Sequence, residues 1–152
     1  MKTYLKALAL AGTLLSLASA QGQVQRVTVA LYEMGFKPGQ LQLKAGVPAE
    51  ITLRNAGKAA HEFQAYLNPK TAPKGESSWD AYLEQNTLWL GGKAQLEIGG
   101  RTMDASKWIE VMLKPGEQAV LRFTPVKKGN YELGCHLPGH YEAGMRGSVV
   151  VR

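Results

Sequence analysis

Cysteine is all but missing from this chain: among 152 residues there is one, Cys135. A single thiol excludes an intramolecular disulfide and every zinc-finger or iron–sulfur arrangement that needs several thiolates. Histidine is nearly as scarce, with His61, His136 and His140 making up the whole supply, so a metal site has three imidazoles at most to draw on. No uninterrupted apolar run reaches the roughly 20 residues needed to cross a bilayer. Internal repeats, low-complexity tracts and basic runs are missing as well. Without basic–aromatic interleaving, nucleic acid is not an expected partner. What remains is an ordinary folding composition, 45% hydrophobic and 20% charged, at a length that suits one compact domain.

The first twenty residues read as an export signal. Lys2 and Lys6 open the chain, Ala7 to Ala18 forms a short apolar run, and Ala18-Ser19-Ala20 supplies the small-x-small pattern that signal peptidase cuts. Residues 1–20 are therefore expected to be removed before Gln21, leaving a domain over 21–152 in the periplasm or on the outer side of the envelope. The lone cysteine lies far from that cut and offers no lipid anchor there. Loss of Lys2 and Lys6 lowers the formal net charge from +6 to +4. So small an excess fits a solvated surface better than a polyanion-binding one.

From Val24 onward the pattern is one of short strands between turns. Val27 and Val29 alternate within 24–31, Leu41 and Leu43 within 40–44, and Ile51 and Leu53 within 50–54. Residues 60–67, 119–123, 131–135 and 148–151 repeat the alternation. Pro38-Gly39, Gly46-Val47-Pro48, Pro115-Gly116 and Lys128-Gly129-Asn130 punctuate them. Seven or eight such strands predict an all-β, antiparallel β-sandwich. Residues 68–107 interrupt the rhythm and read as an insertion. It is expected to hold a short helix capped by Ser77, with Trp79, Tyr82 and Leu83 on one face. Trp79, Trp89 and Trp108 are expected to pack that insertion.

The chemistry concentrates near the C-terminus. Cys135 ends a predicted strand, His140 follows after four intervening residues, and Met145 after four more, just before the last strand. Pro138-Gly139 supplies the turn that swings the imidazole back toward the sulfur. A fourth donor must come from elsewhere, and His61 is the candidate. Two imidazoles and a thiolate, with a weak axial thioether, form the donor set of a blue-copper electron-transfer site. Taken singly, each residue has a plainer reading: Cys135 as a small buried hydrophobe, His61 as a core histidine, Met145 as a gap-filler. The common spacing favours the metal. His136 reads as a surface or supporting residue.

This arrangement, Cys135-x4-His140-x4-Met145 with a distant His61, resembles the ligand signature of the cupredoxins, which include plastocyanin, azurin and rusticyanin. The stretch Gly35-Phe36-Lys37-Pro38-Gly39-Gln40-Leu41-Gln42-Leu43-Lys44-Ala45-Gly46 is similar to their first sheet, as is Asn55-Ala56-Gly57 leading to His61-Glu62-Phe63. The resemblance spans most of 21–152 outside the insertion. It implies a Greek-key β-sandwich, one type 1 copper ion, and His61, Cys135, His140 and Met145 as its ligands. One departure stands out. Many members carry asparagine just after the first histidine, where it ties two ligand loops together, and here the residue is Glu62.

Three functions compete at this level. An exported electron carrier would act as a monomer between redox proteins such as cytochromes or oxidases. A copper-binding protein for homeostasis or resistance would take up or deliver the ion, although no methionine- or histidine-rich run is present. A copper enzyme is disfavoured by arithmetic: two histidines at a type 1 site leave only His136 for a catalytic cluster.

Overall fold

The computed structural model describes residues 23–152, so the expected signal peptide lies outside the described residues. Eleven strands and one helix follow in order: β1 (Gln25–Tyr32), β2 (Gly35–Lys37), β3 (Gln40–Leu43), β4 (Ala49–Asn55), β5 (His61–Leu67), α1 (Glu76–Asn86), β6 (Gln95–Ile98), β7 (Arg101–Asp104), β8 (Val111–Leu113), β9 (Gln118–Phe123), β10 (Gly129–Gly134) and β11 (Arg146–Val151). They form two sheets, ordered β2-β1-β4-β9-β6-β7 and β3-β11-β10-β5-β8. Among the described residues no helix is long and apolar enough to cross a membrane.

The alternation read from the sequence becomes the core between these sheets. Leu31, Ile51, Leu53 and Leu121 from one sheet are completely buried, as are Phe63, Ala65, Leu133 and Val149 from the other. Each large aliphatic side chain so buried stabilises the fold by about 1.5–3 kcal/mol. Trp89 joins this core instead of merely packing the insertion. It is 1% exposed, lies nearly parallel to Phe63 with ring centroids 6.3 Å apart, and donates its indole N–H to the Trp108 carbonyl at 2.7 Å.

The sandwich departs from strictly antiparallel pairing in two places. β1 runs parallel to β4, from Gln25 opposite Ala49 to Leu31 opposite Asn55, and β11 runs parallel to β3. Both sheets are therefore mixed. Alternating hydrophobicity reports which face is buried but is blind to the direction of the neighbouring strand.

The segment 68–107 divides into two parts with different fates. Its second part, the β6–β7 hairpin, extends the first sheet by pairing β6 with β9, whereas residues 88–90 form a turn. Its first part carries α1, which starts one residue before Ser77. Gly75 occupies the cap position and no side chain caps the helix. The helix lies against the outer face of β5. Leu83 is buried there, Tyr82 donates its hydroxyl to the Leu67 carbonyl at 2.7 Å, and Trp79 meets Tyr66 edge-on at 5.8 Å. This cover explains why β5 is buried on both faces, from His61 through Tyr66.

Candidate metal centre

The centre is assembled where β5 begins and β10 ends. Antiparallel pairing sets Gly134 opposite Gln64, so Cys135, just past the end of β10, falls beside the residues that open β5. The loop from Cys135 to Met145 is held by its own backbone. His140 N–H donates to Leu137 O at 3.0 Å, Ala143 N–H to Gly139 O at 3.1 Å, and Met145 N–H to His140 O at 3.0 Å. Cys135 N–H closes the base by donating to Met145 O at 3.2 Å. Gly139, at φ +80°, allows the tight turn that the Pro-Gly pair predicts.

Three donor atoms converge inside this loop. His140 Nδ1 lies 3.3 Å from Cys135 Sγ and 3.3 Å from His61 Nδ1, and all three atoms fall within 4.8 Å of one another. His61 and Cys135 have no exposed surface, while His140 is partly exposed. Met145 is likewise completely buried and is tied to Cys135 and His140 by the two backbone bonds already described. Burial pushes the Cys135 thiol up, against hydrogen bonds from the Glu62 and Leu137 backbones, and it pulls the His61 imidazole down, against the nearby Glu33. Two soft or borderline donor types gathered in a dry pocket fit a copper ion, for which thiolate and imidazole are suitable ligands.

His61 is positioned from behind by residues that the motif does not contain. Its Nε2 faces Glu33 Oε1 at 3.4 Å, a close approach without hydrogen-bond geometry. The same carboxylate accepts the backbone N–H groups of Lys58 at 2.5 Å and Ala59 at 2.7 Å, and these bonds hold its pKa down to about 2. Asn55 shapes the loop that presents them: its Nδ2 donates to Ala59 O at 2.8 Å and Leu113 O at 2.9 Å, and its Oδ1 accepts the Gly57 N–H at 2.9 Å. A Cβ on Gly57 would stand 2.7 Å from the Glu33 carboxylate and 2.8 Å from His61 Nε2, so only glycine admits this approach. A proton on Nε2, facing the carboxylate, leaves Nδ1 free to coordinate.

Glu62 takes over the task that asparagine performs in many members of the resembled family. Its backbone N–H donates to Cys135 Sγ at 3.3 Å, and its carboxylate accepts the His136 N–H at 3.1 Å. The strand carrying His61 and the loop carrying Cys135 are thereby tied at the sulfur. His136 itself stands outside the converging trio. Its ring stacks on Tyr141, with centroids 4.8 Å apart, and its Nε2 lies 3.0 Å from the Tyr66 hydroxyl. That hydroxyl donates to Glu132 at 2.7 Å. Glu33 carried no sequence signal, since it lies in a turn and meets His61 only through the fold.

The profile of the cupredoxin-like domain family matches residues 5–76. The copper-resistant cuproprotein CopI of Pseudomonas aeruginosa is 30% identical over 151 residues, an alignment that covers 89% of this chain and 80% of that protein. The protein of the same name from Rubrivivax gelatinosus is 26% identical over 125 residues, and the alignment spans 78% of this chain but only 61% of that relative. Among solved structures, auracyanin A from Chloroflexus aurantiacus, a blue copper protein, superposes with a TM-score of 0.56. It shares 18% identity, and the match covers 86% of this chain and all of that one. Sheet topology, the donor trio and these similarities agree that the chain belongs to the cupredoxin family.

Proposed function

We propose that the protein holds one copper ion in a type 1 site and uses it for single-electron transfer outside the cytoplasm. His61 Nδ1, Cys135 Sγ and His140 Nδ1 would hold the ion, with Met145 as a weak fourth donor. The observation that carries this reading is the convergence of those three atoms, two of them on a loop braced by its own backbone. Copper bound there would alternate between its monovalent and divalent states. The chain's part is to keep the donors still, so that little rearrangement accompanies the change of charge. The Glu62 backbone N–H holds the sulfur, Glu33 backs His61, and burial excludes water. His140 is the partly exposed ligand, and Pro138, Gly139 and Ala143 near it are exposed. That edge suits brief docking by a redox partner such as a cytochrome or an oxidase. With His136 engaged by Tyr66 and Tyr141, no histidine is left to build a catalytic copper cluster, so the proposed role is not enzymatic. Residues 1–20 would direct export to the periplasm or envelope exterior.

A second reading, copper homeostasis or resistance, is favoured by the two CopI relatives. Anaerobic mixing separates them. Reduced, copper-loaded protein that is rapidly reoxidised by a cytochrome and keeps its copper supports electron transfer. Slow reoxidation with ready loss of copper to a chelator supports delivery of the ion instead. The Met145 assignment has its own test: Met145→Gln should keep the visible copper–thiolate band and lower the reduction potential. An unchanged potential would rule Met145 out as a donor.

A further inference from the structure

Glu33 lies outside the donor motif, in the turn after β1, yet its carboxylate faces a candidate ligand. Among the described residues, it is the one acid set close to a ring nitrogen of the donor trio, with Oε1 3.4 Å from His61 Nε2. That nitrogen is buried and has no hydrogen-bond partner, on a side chain with no exposed surface. Gly57 stands beside both groups, and a Cβ there would come within 2.8 Å of the carboxylate oxygens and of Nε2. The carboxylate is held in its charged form. It accepts the N–H groups of Lys58 and Ala59, which keep its pKa at about 2. Among the described residues no lysine or arginine side chain pairs with it. Its charge is therefore not cancelled by a neighbouring cation.

A fixed charge at this place bears on the oxidation state of the ion that the site would hold. Thiolate and thioether donors favour monovalent copper. A negative charge behind a buried ring attracts the divalent ion more strongly than the monovalent one, since the Coulomb energy scales with the charge on the metal. A carboxylate facing the second nitrogen of a ligating histidine also strengthens that imidazole as a donor. Both effects act in the same direction. We propose that Glu33 is a positioning residue that tilts the site toward copper(II), acting through His61 as a fixed, unneutralised charge. The inference rests on the copper reading and deepens it. Glu33 offsets the sulfur ligands, so that oxidation of the ion costs the site less of its hold on it.

The test measures both oxidation states on the chain over residues 21–152. Chelator competition, with copper(II) in air and copper(I) under anaerobic reduction, gives two affinities for each variant. Voltammetry gives the potential independently. Glu33→Gln keeps a side-chain oxygen for the Lys58 and Ala59 N–H groups but removes the charge. Copper(II) affinity should then fall about tenfold more than copper(I) affinity. That is the low end of the usual range for losing such a partner, because the carboxylate is partly exposed and screened by solvent. A tenfold difference raises the potential of this one-electron couple by about 59 mV. Glu33→Asp keeps the charge one methylene further away and should fall between the two. A melting curve checks that each variant folds; should Glu33→Gln not fold, Glu33→Asp decides, and an unmoved potential there overturns the proposal. Equal loss of both affinities with an unmoved potential would mean that Glu33 only shapes the Lys58–Ala59 loop, and it overturns the proposal too. So does a fall in potential. Wild-type protein that binds copper without the copper–thiolate band, or binds none, overturns the copper reading and this inference with it. A wild type with that band, and a potential indifferent to Glu33, overturns the inference alone.

Discussion

The two faces of β5 do opposite work. Inward, His61, Phe63 and Ala65 reach the donor trio and the hydrocarbon core. Outward, Glu62, Gln64 and Tyr66 are polar, yet they are almost as deeply buried. The inner face obeys the rule that burial follows hydrophobicity. The outer face is buried because α1 and the Cys135–Met145 loop cover it, and its polar groups need partners there. Cys135 is where the faces meet: its sulfur belongs to the inner trio and takes a hydrogen bond from the backbone of an outward-facing residue.

The sharpest way to break the comparison is on the inner side. Cys135→Ser removes the thiolate, so copper-loaded protein should lose the intense visible charge-transfer band completely. Persistence of that band in the variant would mean that the sulfur is not the source. Next, Phe63→Ala should cost about 3–5 kcal/mol of stability, because a fully buried ring packed against Phe36 and Trp89 leaves a cavity behind. Denaturant melts measure it, and a cost under about 1 kcal/mol would show that this face tolerates collapse.

Behind the trio the expected effects shrink. Glu33→Gln should keep the colour but weaken copper affinity by about 10–100-fold, the usual consequence of losing a partner that orients a ligating histidine. Competition with a chelator reads this directly, and wild-type affinity would show that the Lys58–Ala59 loop suffices to place His61. Smallest is Tyr66→Phe on the outer face. It removes one donor to Glu132, which keeps Tyr141 as a donor at 2.8 Å. A loss of about 1 kcal/mol with an unchanged copper band is expected. A bleached or shifted band would mean that the outer face controls the metal more tightly than its hydrogen bonds suggest.

Much of the sandwich was legible in advance because a strand with one buried face must alternate, as β4 and β9 do. The parallel pairings were not legible, since alternation carries no direction. Nor was the place of the β6–β7 hairpin, whose exposed β7 offers little apolar pattern. In the candidate site, the meeting of Cys135 with His140 was readable because a short loop forces near neighbours in sequence to be near neighbours in space. Glu33 escaped notice for the opposite reason. Its contact with His61 depends on the turn after β1, on the Asn55 loop and on a glycine at residue 57.

The donor chemistry was written locally in the chain: one thiol, three imidazoles and a spacing that allows a single mononuclear site. Those are properties of residue type and short-range geometry, and no long-range contact is needed to state them. The fold settled the remainder. It chose His61 over His136 as the imidazole that meets Cys135 and His140, set a carboxylate behind it, and turned Glu62 into the tie between the strand and the ligand loop. These outcomes rest on strand register and on which surfaces pack together, and both arise only when segments distant in sequence are buried against each other.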